Sequence, residues 1–245
     1  SKDCIFIGQG FNGGATDGTT TTLGREGSDY SAAVAANILD AESMSVWKDV
    51  DGILNADPKV FPDAVQIAEL NYLDTIELAY SGAQIIHPKT IKPLQNKNIP
   101  LYVRPFGDKR KPGTVIRRMS APIEVPILIL KKDQVLLTIR SRDFSFVLEE
   151  KFAAIFSLLE RYRIKVNLVH NSAVNLSLCV DNSWHIDEAI QALRNEEFDV
   201  MKVENMELLT IRGYNGDLME RYASGPEVFL LQRTQSTARI VRKNR

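Results

Sequence analysis

The apolar residues of positions 1–119 follow a pattern that predicts alternating strands and helices. Residues 4–8 form a continuous apolar run, which is typical of a strand buried on both faces of a parallel sheet. Shorter strands are predicted at residues 44–47 and 101–103. Small and aliphatic side chains predict a helix between the first two strands: Ala32, Ala33, Ala35, Ala36, Ile38 and Leu39. The order strand, helix, strand indicates a β-α-β unit of a parallel sheet.

Polar residues and glycines indicate where the helices of this region begin and end. Ser28 or Asp29 suits the N-cap of the first helix. Asn71 suits the N-cap of a second helix, which Gly82 ends. Pro88 fits the first turn of a third helix, because a proline there loses no helical hydrogen bond.

From residue 134 onward the pattern changes to strands with one apolar face and amphipathic helices. Val135, Leu137 and Ile139 alternate as a strand. The next apolar residues have helical spacing: Phe152, Ile155, Phe156 and Leu159. Two strands, a helix and a last strand follow, at residues 165–169, 174–180, 186–193 and 200–203. The order β-α-β-β-α-β predicts a ferredoxin-like module.

A second copy of this module begins with a strand at residues 207–212 and continues with a helix and two strands. Its second helix and last strand are missing from the sequence. Either the copy is naturally reduced, or its final strand completes the sheet of the first module. The predicted domains are residues 1–119, 127–204 and 205–245, with residues 120–126 as a linker.

Composition and charge narrow the possible functions. The formal net charge of the 245 residues is −1, so the sequence favours neither a nucleic acid nor an anionic membrane as a partner. Apolar runs of membrane-spanning length are absent from the sequence. Cys4 and Cys179 lie far apart in apolar runs, which predicts buried thiols of a reduced, cytoplasmic protein.

The sequence also argues against a resident metal. The three histidines are scattered singly, and the spacing of metal ligands is absent. Asp49, Asp51 and Gly52 imitate part of a calcium-binding loop, but the glycine comes too early and the expected glutamate does not follow. Because ligands bind at the carboxyl ends of parallel strands, we interpret this loop as part of a nucleotide site.

Residues 19–33, TTTTLGREGSDYSAA, carry the clearest candidate chemistry. Gly24 and Gly27 precede a helix N-terminus, where free N–H groups and the helix dipole favour an anion. Arg25 adds a fork that fits a carboxylate or a phosphate. From these residues alone, a capping turn with a solvated arginine is an equal alternative.

A longer set of motifs resembles one family. TTTTLGREGSDYSAA is followed by VWKDVDGILNADPKV, ELAYSGAQIIHPKT and IPLYVR, and this order closely resembles the second half of the catalytic domain of aspartate kinases. The modules behind it resemble the tandem ACT domains of the same enzymes. The resemblance implies an α/β fold, a partial amino-acid-kinase-like parallel-sheet sandwich followed by ferredoxin-like α+β ACT modules.

The resemblance also implies an activity. Aspartate kinases use ATP with Mg²⁺ to phosphorylate the side-chain carboxylate of L-aspartate, which gives 4-phospho-L-aspartate for lysine, threonine and methionine biosynthesis. By this resemblance Arg25 binds the α-carboxylate of aspartate, and Gly27 and Ser28 line the same pocket. Asp29 is the catalytic organiser, which faces the substrate amino group and a catalytic lysine. A purely structural capping role is the alternative for Asp29.

The residues that match the family's nucleotide site are Lys48, Asp49, Leu54, Lys59, Gln84 and Ile85. Several depart from the better-known pattern: Gln84 stands where a lysine is frequent, Leu54 where a tyrosine is, and Lys59 where an arginine is. Glu26 replaces a glycine, and we expect its side chain to point to solvent.

The family's opening Lys-Phe-Gly-Gly motif, which carries the catalytic lysine, does not occur in the sequence. We therefore expect that the chain belongs to a longer protein and that, alone, it binds ATP poorly and does not turn over. The alternative is a non-catalytic subunit or fragment that senses an amino acid through its ACT modules.

In lysine-sensitive relatives an effector lies between the ACT modules of two subunits. The matching positions here are Ser141, Phe144, Asn167, Asn171 and Ser172. Asn167 stands where an aspartate holds the effector's amino group in those relatives. We expect lysine or threonine as the effector, with contacts at position 167 that differ from those in the relatives. Exposed strand edges of such modules favour pairing, and a homodimer through the ACT domains is expected.

Overall fold

The structure, a computed structural model, divides the chain into two units, residues 1–126 and 127–245. It describes residues 4–83, 86–118, 124–142 and 149–244. Within these described ranges, no helix has the length and apolar character needed to cross a membrane. The finer division of the second unit at residue 204 stays a prediction.

The first unit combines a two-stranded hairpin, a four-stranded sheet and helices. In chain order the elements are β1 (Asn12–Gly14), β2 (Thr20–Thr22), α1 (Gly27–Ile38), β3 (Met44–Lys48), β4 (Glu69–Asn71), α2 (Tyr72–Ser81), α3 (Pro88–Lys97), β5 (Leu101–Pro105) and β6 (Thr114–Arg117). The sheet order is β3-β5-β6-β4, with β3 parallel to β5 and β4 parallel to β6. The carboxyl ends of β3 and β5 therefore lie side by side.

Successive side chains of β3 alternate between a buried face and an exposed face of this sheet. Met44 and Val46 of β3 are buried, whereas Trp47 between Val46 and Lys48 is 41% exposed. Ala33 of α1 is fully buried, because small residues let α1 approach its neighbours closely. The Asn37 side chain donates to the Pro93 carbonyl at 2.7 Å and ties α1 to α3.

The strand predicted at residues 4–8 is wrong. Ile5, Phe6 and Ile7 are each at least 90% exposed, and the run belongs to no strand. An apolar run becomes a buried strand only where a neighbouring strand takes up its backbone hydrogen bonds, and no described strand pairs with this one. Among the described residues, the β-α-β unit expected from this run is therefore not present. Cys4 is exposed, contrary to prediction, whereas the predicted burial of Cys179 is confirmed.

The second unit contains the predicted order β-α-β-β-α-β. Its elements are β7 (Ile127–Ser141), α4 (Glu149–Arg161), β8 (Val166–Asn171), β9 (Asn175–Asp181), α5 (Ile186–Asn195), β10 (Phe198–Arg212), α6 (Gly216–Ala223), β11 (Val228–Arg233) and β12 (Thr237–Lys243). They form one six-stranded sheet in the order β11-β12-β10-β7-β9-β8. Apolar residues of α4 and α5 pack on one face of this sheet with those of β7, β9 and β10.

Two long strands, β7 and β10, run through both the first module and the shorter second set of elements. Neither of the two explanations for the short second copy predicted such strands. β7 begins at Ile127, seven residues before the predicted position, and β10 is continuous through residue 204. Residues 127–131 of β7 pair with residues 208–212 of β10. The first half of β7 thus supplies a strand beside the second set of elements.

The long strands bend where they pass from one half of the sheet to the other. Asp133 in β7 and Asn205 in β10 have positive φ angles of 53° and 58°, and the pairing register shifts beside Met206. As a result the two outermost strands approach each other, and the Gln232 amide of β11 donates to the Val169 carbonyl of β8 at 3.4 Å. Residues from both halves fill the space between them: Leu136, Leu168, Cys179, Met206, Leu208, Leu230 and Val241.

Candidate functional site

The N-terminus of α1 is built differently from the prediction. The helix begins at Gly27, and its N-cap is Glu26, which has a φ of 56° and makes no side-chain cap. Ser28 and Asp29 lie inside the first turn, so neither is the N-cap. The Glu26 carboxylate accepts a hydrogen bond from the His87 N–H at 2.8 Å. The expectation that Glu26 points to solvent is therefore wrong, because the start of α3 offers it an N–H partner.

Free N–H groups remain at this helix start. Among the described residues, none accepts a hydrogen bond from the backbone N–H of Ser28 or Asp29. Gly27 is required here by packing, since a Cβ atom would lie 2.9 Å from Leu23 Cβ. Gly24, with a φ of 76°, turns the chain into the helix. The arrangement is one that favours an anion.

An ion pair lies beside these N–H groups. Lys48 Nζ is 2.8 Å from Asp29 Oδ2, and the side chains are 32% and 16% exposed. Lys48 is the last residue of β3, and Asp29 is in the first turn of α1. Arg25, four residues before Asp29, is exposed. The sequence assigned Asp29 to the substrate site and Lys48 to the nucleotide site, and the structure brings the two side chains into contact.

The other predicted nucleotide residues lie along the loop after β3. Asp49 and Lys59 are exposed, and Leu54 is half-buried and bridges to Gln66. In the described part of the chain, no hydrogen bond or ion pair joins Leu54 or Lys59 to the Asp29–Lys48 pair. Gln84 and Ile85 lie outside the described residues.

This loop is anchored to the sheet at its middle. The Thr114 hydroxyl accepts a hydrogen bond from the Ile53 N–H at 2.8 Å and donates to the Ile67 carbonyl at 2.6 Å. Gly52 has a φ of 149°, and a Cβ atom there would lie 2.5 Å from the Gln66 amide nitrogen. The loop therefore holds a fixed course over the end of the sheet.

Arg104 is a residue that we did not single out from the sequence. Its guanidinium lies 5.9 Å from the centre of the Trp47 ring and 4.8 Å from that of Tyr102. Its Nε is buried and finds no hydrogen-bond partner among the described residues. Parallel pairing places Arg104 directly beside Trp47. The only signal in the sequence was the arginine of IPLYVR at the end of a predicted strand.

The described residues among the predicted effector residues lie at separate positions in the second unit. Ser141 is buried and accepts a hydrogen bond from Lys151 Nζ at 2.6 Å. Asn171 and Ser172 lie at the exposed turn between β8 and β9. Asn167 binds Lys131, Gln134 and Asp181. Phe144 lies outside the described residues.

Comparison with known proteins identifies the family. A sequence model of the amino acid kinase family matches residues 2–105. Lysine-sensitive aspartokinase 3 of Escherichia coli (strain K12) is 35% identical over 233 residues, which are 92% of this chain and 51% of that protein. The chain belongs to the aspartokinase family. Aspartokinase 1, chloroplastic, of Arabidopsis thaliana is also 35% identical, over 82% of this chain and 36% of the relative.

Solved structures agree with this membership. The crystal structure of E. coli aspartokinase III in complex with lysine and aspartate is 30% identical with a TM-score of 0.73, and it matches 95% of this chain and 55% of that one. The structure of the same enzyme with aspartate and ADP has a TM-score of 0.76 at 28% identity, over 96% of this chain and 56% of that one. The chain spans about half the length of the aspartokinase III chains, and their fold confirms the predicted α/β class with ACT-type modules.

Proposed function

We propose that this chain is part of an ATP-dependent aspartate kinase, which phosphorylates the side-chain carboxylate of L-aspartate to give 4-phospho-L-aspartate. The observation that carries the proposal is the Asp29–Lys48 pair beside the free N–H groups of α1. Two anions must meet in this reaction, and positive groups at fixed positions lower the cost of that meeting.

The two residues of this pair contact different substrates: Asp29 contacts aspartate and Lys48 contacts the nucleotide phosphate. Asp29 orients the ammonium group of aspartate, while Arg25 and the backbone at Gly27 and Ser28 bind its carboxylates. A lysine ammonium has three N–H donors, and the hydrogen bond to Asp29 uses one of them. The other two are available to a phosphate oxygen. Lys48 therefore links the acceptor to the phosphoryl donor.

The nucleotide is bound by the loop after β3, with contacts from Asp49, Leu54, Lys59, Gln84 and Ile85. Mg²⁺ accompanies it and supplies charge neutralisation at the phosphates. Such an ion usually keeps several waters and takes one or two protein carboxylates. The described residues contain no cluster of three metal-binding side chains.

The proposal extends to the pathway and to its control. The product feeds lysine, threonine and methionine biosynthesis in the cytoplasm, and lysine or threonine acts on a homodimer through the ACT modules. Two observations on relatives support this part. The E. coli relative is named a lysine-sensitive aspartokinase, and aspartokinase III of that organism has been crystallised in complex with lysine.

A complementation assay tests the catalytic part. We expect no turnover by the chain alone, and aspartate- and ATP-dependent phosphorylation when the amino-terminal half of an aspartokinase catalytic domain is supplied. Asp29→Asn should reduce the complemented rate by about 10²-fold or more. Asp63→Asn, which changes an exposed loop carboxylate, is the matched control and should leave the rate unchanged.

Two results would each contradict one part of this proposal. Robust turnover by the chain alone would refute the dependence on a second half, and an Asp29→Asn rate equal to that of the control would remove the proposed role of the pair. Isothermal titration with lysine, threonine and methionine distinguishes a catalytic protein from the alternative, a non-catalytic sensing subunit. Effector binding without any complementation would identify a non-catalytic sensing subunit.

A further inference from the structure

A charged cluster lies inside the second unit, between the two halves of its bent sheet. Lys131 Nζ donates to Asn167 Oδ1 at 2.7 Å and to Asp181 Oδ1 at 3.1 Å. The Gln134 side chain, which is 1% exposed, donates to the same Asp181 oxygen at 2.9 Å. The lysine side chain is only 19% exposed, so its ammonium depends on these oxygens for the hydrogen bonds that water would otherwise supply.

The amide of Asn167 is fully engaged in this cluster. Its Nδ2 donates to Gln134 Oε1 and to Asp181 Oδ1, both at 2.7 Å, while Oδ1 accepts from Lys131. An asparagine amide has two N–H donors, and both are used. Asn167 and Asp181 thus each present one oxygen to the same ammonium group.

The cluster joins elements that the chain separates widely. Lys131 belongs to the half of β7 that pairs with residues 208–212. Asn167 and Asp181 belong to β8 and β9, in the other half of the sheet. The bend at Asp133 lies between Lys131 and the rest of β7. The ammonium therefore bridges the two halves where they fold together.

Burial and pairing act in opposite directions on these groups. Burial lowers the pKa of Lys131, although the hydrogen bond from its ammonium to Asp181 opposes this. Burial raises the pKa of Asp181, but hydrogen bonds from Gln134, Asn167 and Lys131 outweigh it and lower that pKa overall. The carboxylate is therefore held in its charged form, which is the form that binds a cation.

We propose that Asp181 and Asn167 form a binding site for a primary ammonium ion, and that the chain's own Lys131 fills this site as an internal ligand. The site keeps the two halves of the sheet in one arrangement without a free amine. Removal of the Lys131 side chain beyond Cβ leaves the Asp181 carboxylate, whose side chain is 37% exposed, without its cationic partner, and the removed atoms have the shape of n-propylammonium.

The test is chemical rescue of Lys131→Ala, measured by thermal unfolding of the full chain. This variant should melt below the wild type. n-Propylammonium chloride should raise its melting temperature by ~2–4 °C more than tetramethylammonium chloride at equal concentration, because only the primary amine donates hydrogen bonds to Asp181 and Asn167. Wild type and Lys132→Ala, which changes the exposed neighbouring lysine, should show no difference between the two salts.

A second variant keeps the test decisive. Lys131→Met fills the space with an uncharged side chain, so n-propylammonium should not rescue it. Equal effects of the two salts on Lys131→Ala would overturn the proposal, as would an equal rescue of Lys131→Met. If Lys131→Ala does not fold on its own, the yield of folded protein after refolding in each salt gives the same comparison. Equal yields would then overturn the proposal.

Discussion

Cys179 carries a thiol whose surroundings oppose ionisation. Burial raises its pKa from 9.0 to about 12, and the negative charge of Asp181 adds to this effect, while Lys131 opposes it. At neutral pH the thiol is a packing group between the halves of the sheet. Because the thiolate is the reactive form, Cys179 is inert, whereas the exposed Cys4 is accessible to alkylating reagents.

The raised pKa predicts that Cys179 destabilises the folded chain at alkaline pH. Between about pH 9 and about pH 12 the unfolded chain has lost the thiol proton and the folded chain retains it. The free energy of unfolding should then fall by about 1.4 kcal/mol for each pH unit. Cys179→Ala removes this contribution. Urea unfolding of both proteins should show the stability advantage of wild type shrinking between about pH 9 and pH 10; a constant difference would contradict the prediction.

Glu26 shows why some site residues escape prediction from sequence. A glutamate in a glycine turn is usually solvated, and nothing near it in the chain indicates a partner. Its partner is the N–H of His87, 61 residues away. The pairing of Asp29 with Lys48 has the same origin, because the fold rather than the motif brings the end of β3 to the start of α1. Residue types were predictable here, but their contacts were not.

The helices of the first unit begin in two different ways. In α2 the Asn71 side chain accepts a hydrogen bond from the Asp74 N–H at 2.7 Å, as the sequence predicted. Helix α1 has no side-chain cap. Its free N–H groups are the ones that the proposed function uses for binding an anion. The cap that would stabilise α1 is thus absent where a ligand would take its place.

Because α2 has a side-chain cap and α1 has none, substitutions at the two helix starts should have different effects on stability. Asn71→Ala should lower the free energy of unfolding by about 1 kcal/mol, because the cap of α2 is lost. Ser28→Ala should change it by less than about 0.5 kcal/mol, because Ser28 caps nothing. Urea unfolding of the two variants beside wild type measures both values. A loss at Ser28 as large as that at Asn71 would contradict the arrangement at α1.

Elements with clean periodicity were predictable, and elements that depend on distant strands were not. The alternation of β9 and the helical spacing of α4 are local, so the ferredoxin-like order could be read from sequence. Residues 127–131 are a strand because they pair with residues 208–212. Residues 5–7 have the apolar character of a strand, but no strand among the described residues pairs with them. Pairing over long distances in the chain, rather than propensity, decided both cases.

The second unit contains by itself the interactions that a folded domain needs. All the described strands of its sheet lie within residues 127–243. One apolar cluster lies between this sheet and the helices α4 and α5, and a second lies between the two halves of the sheet. A buried ion pair joins Arg242 to Glu207 at 2.6 Å, with side chains 8% and 4% exposed. This pair fixes β12 against β10 beneath Tyr222 of α6.

We therefore predict that residues 127–244 fold without the first unit. Circular dichroism should show native secondary structure, and urea should unfold the fragment in one cooperative transition. Arg242→Met should lower its free energy of unfolding by about 3–5 kcal/mol, because Glu207 is then buried without its partner. Arg233→Met, at an exposed position of β11, should cost less than about 0.5 kcal/mol. A gradual transition in the unmutated fragment would show that the unit depends on contacts beyond its own clusters, and equal costs for the two arginines would show that the Glu207 pair contributes nothing special.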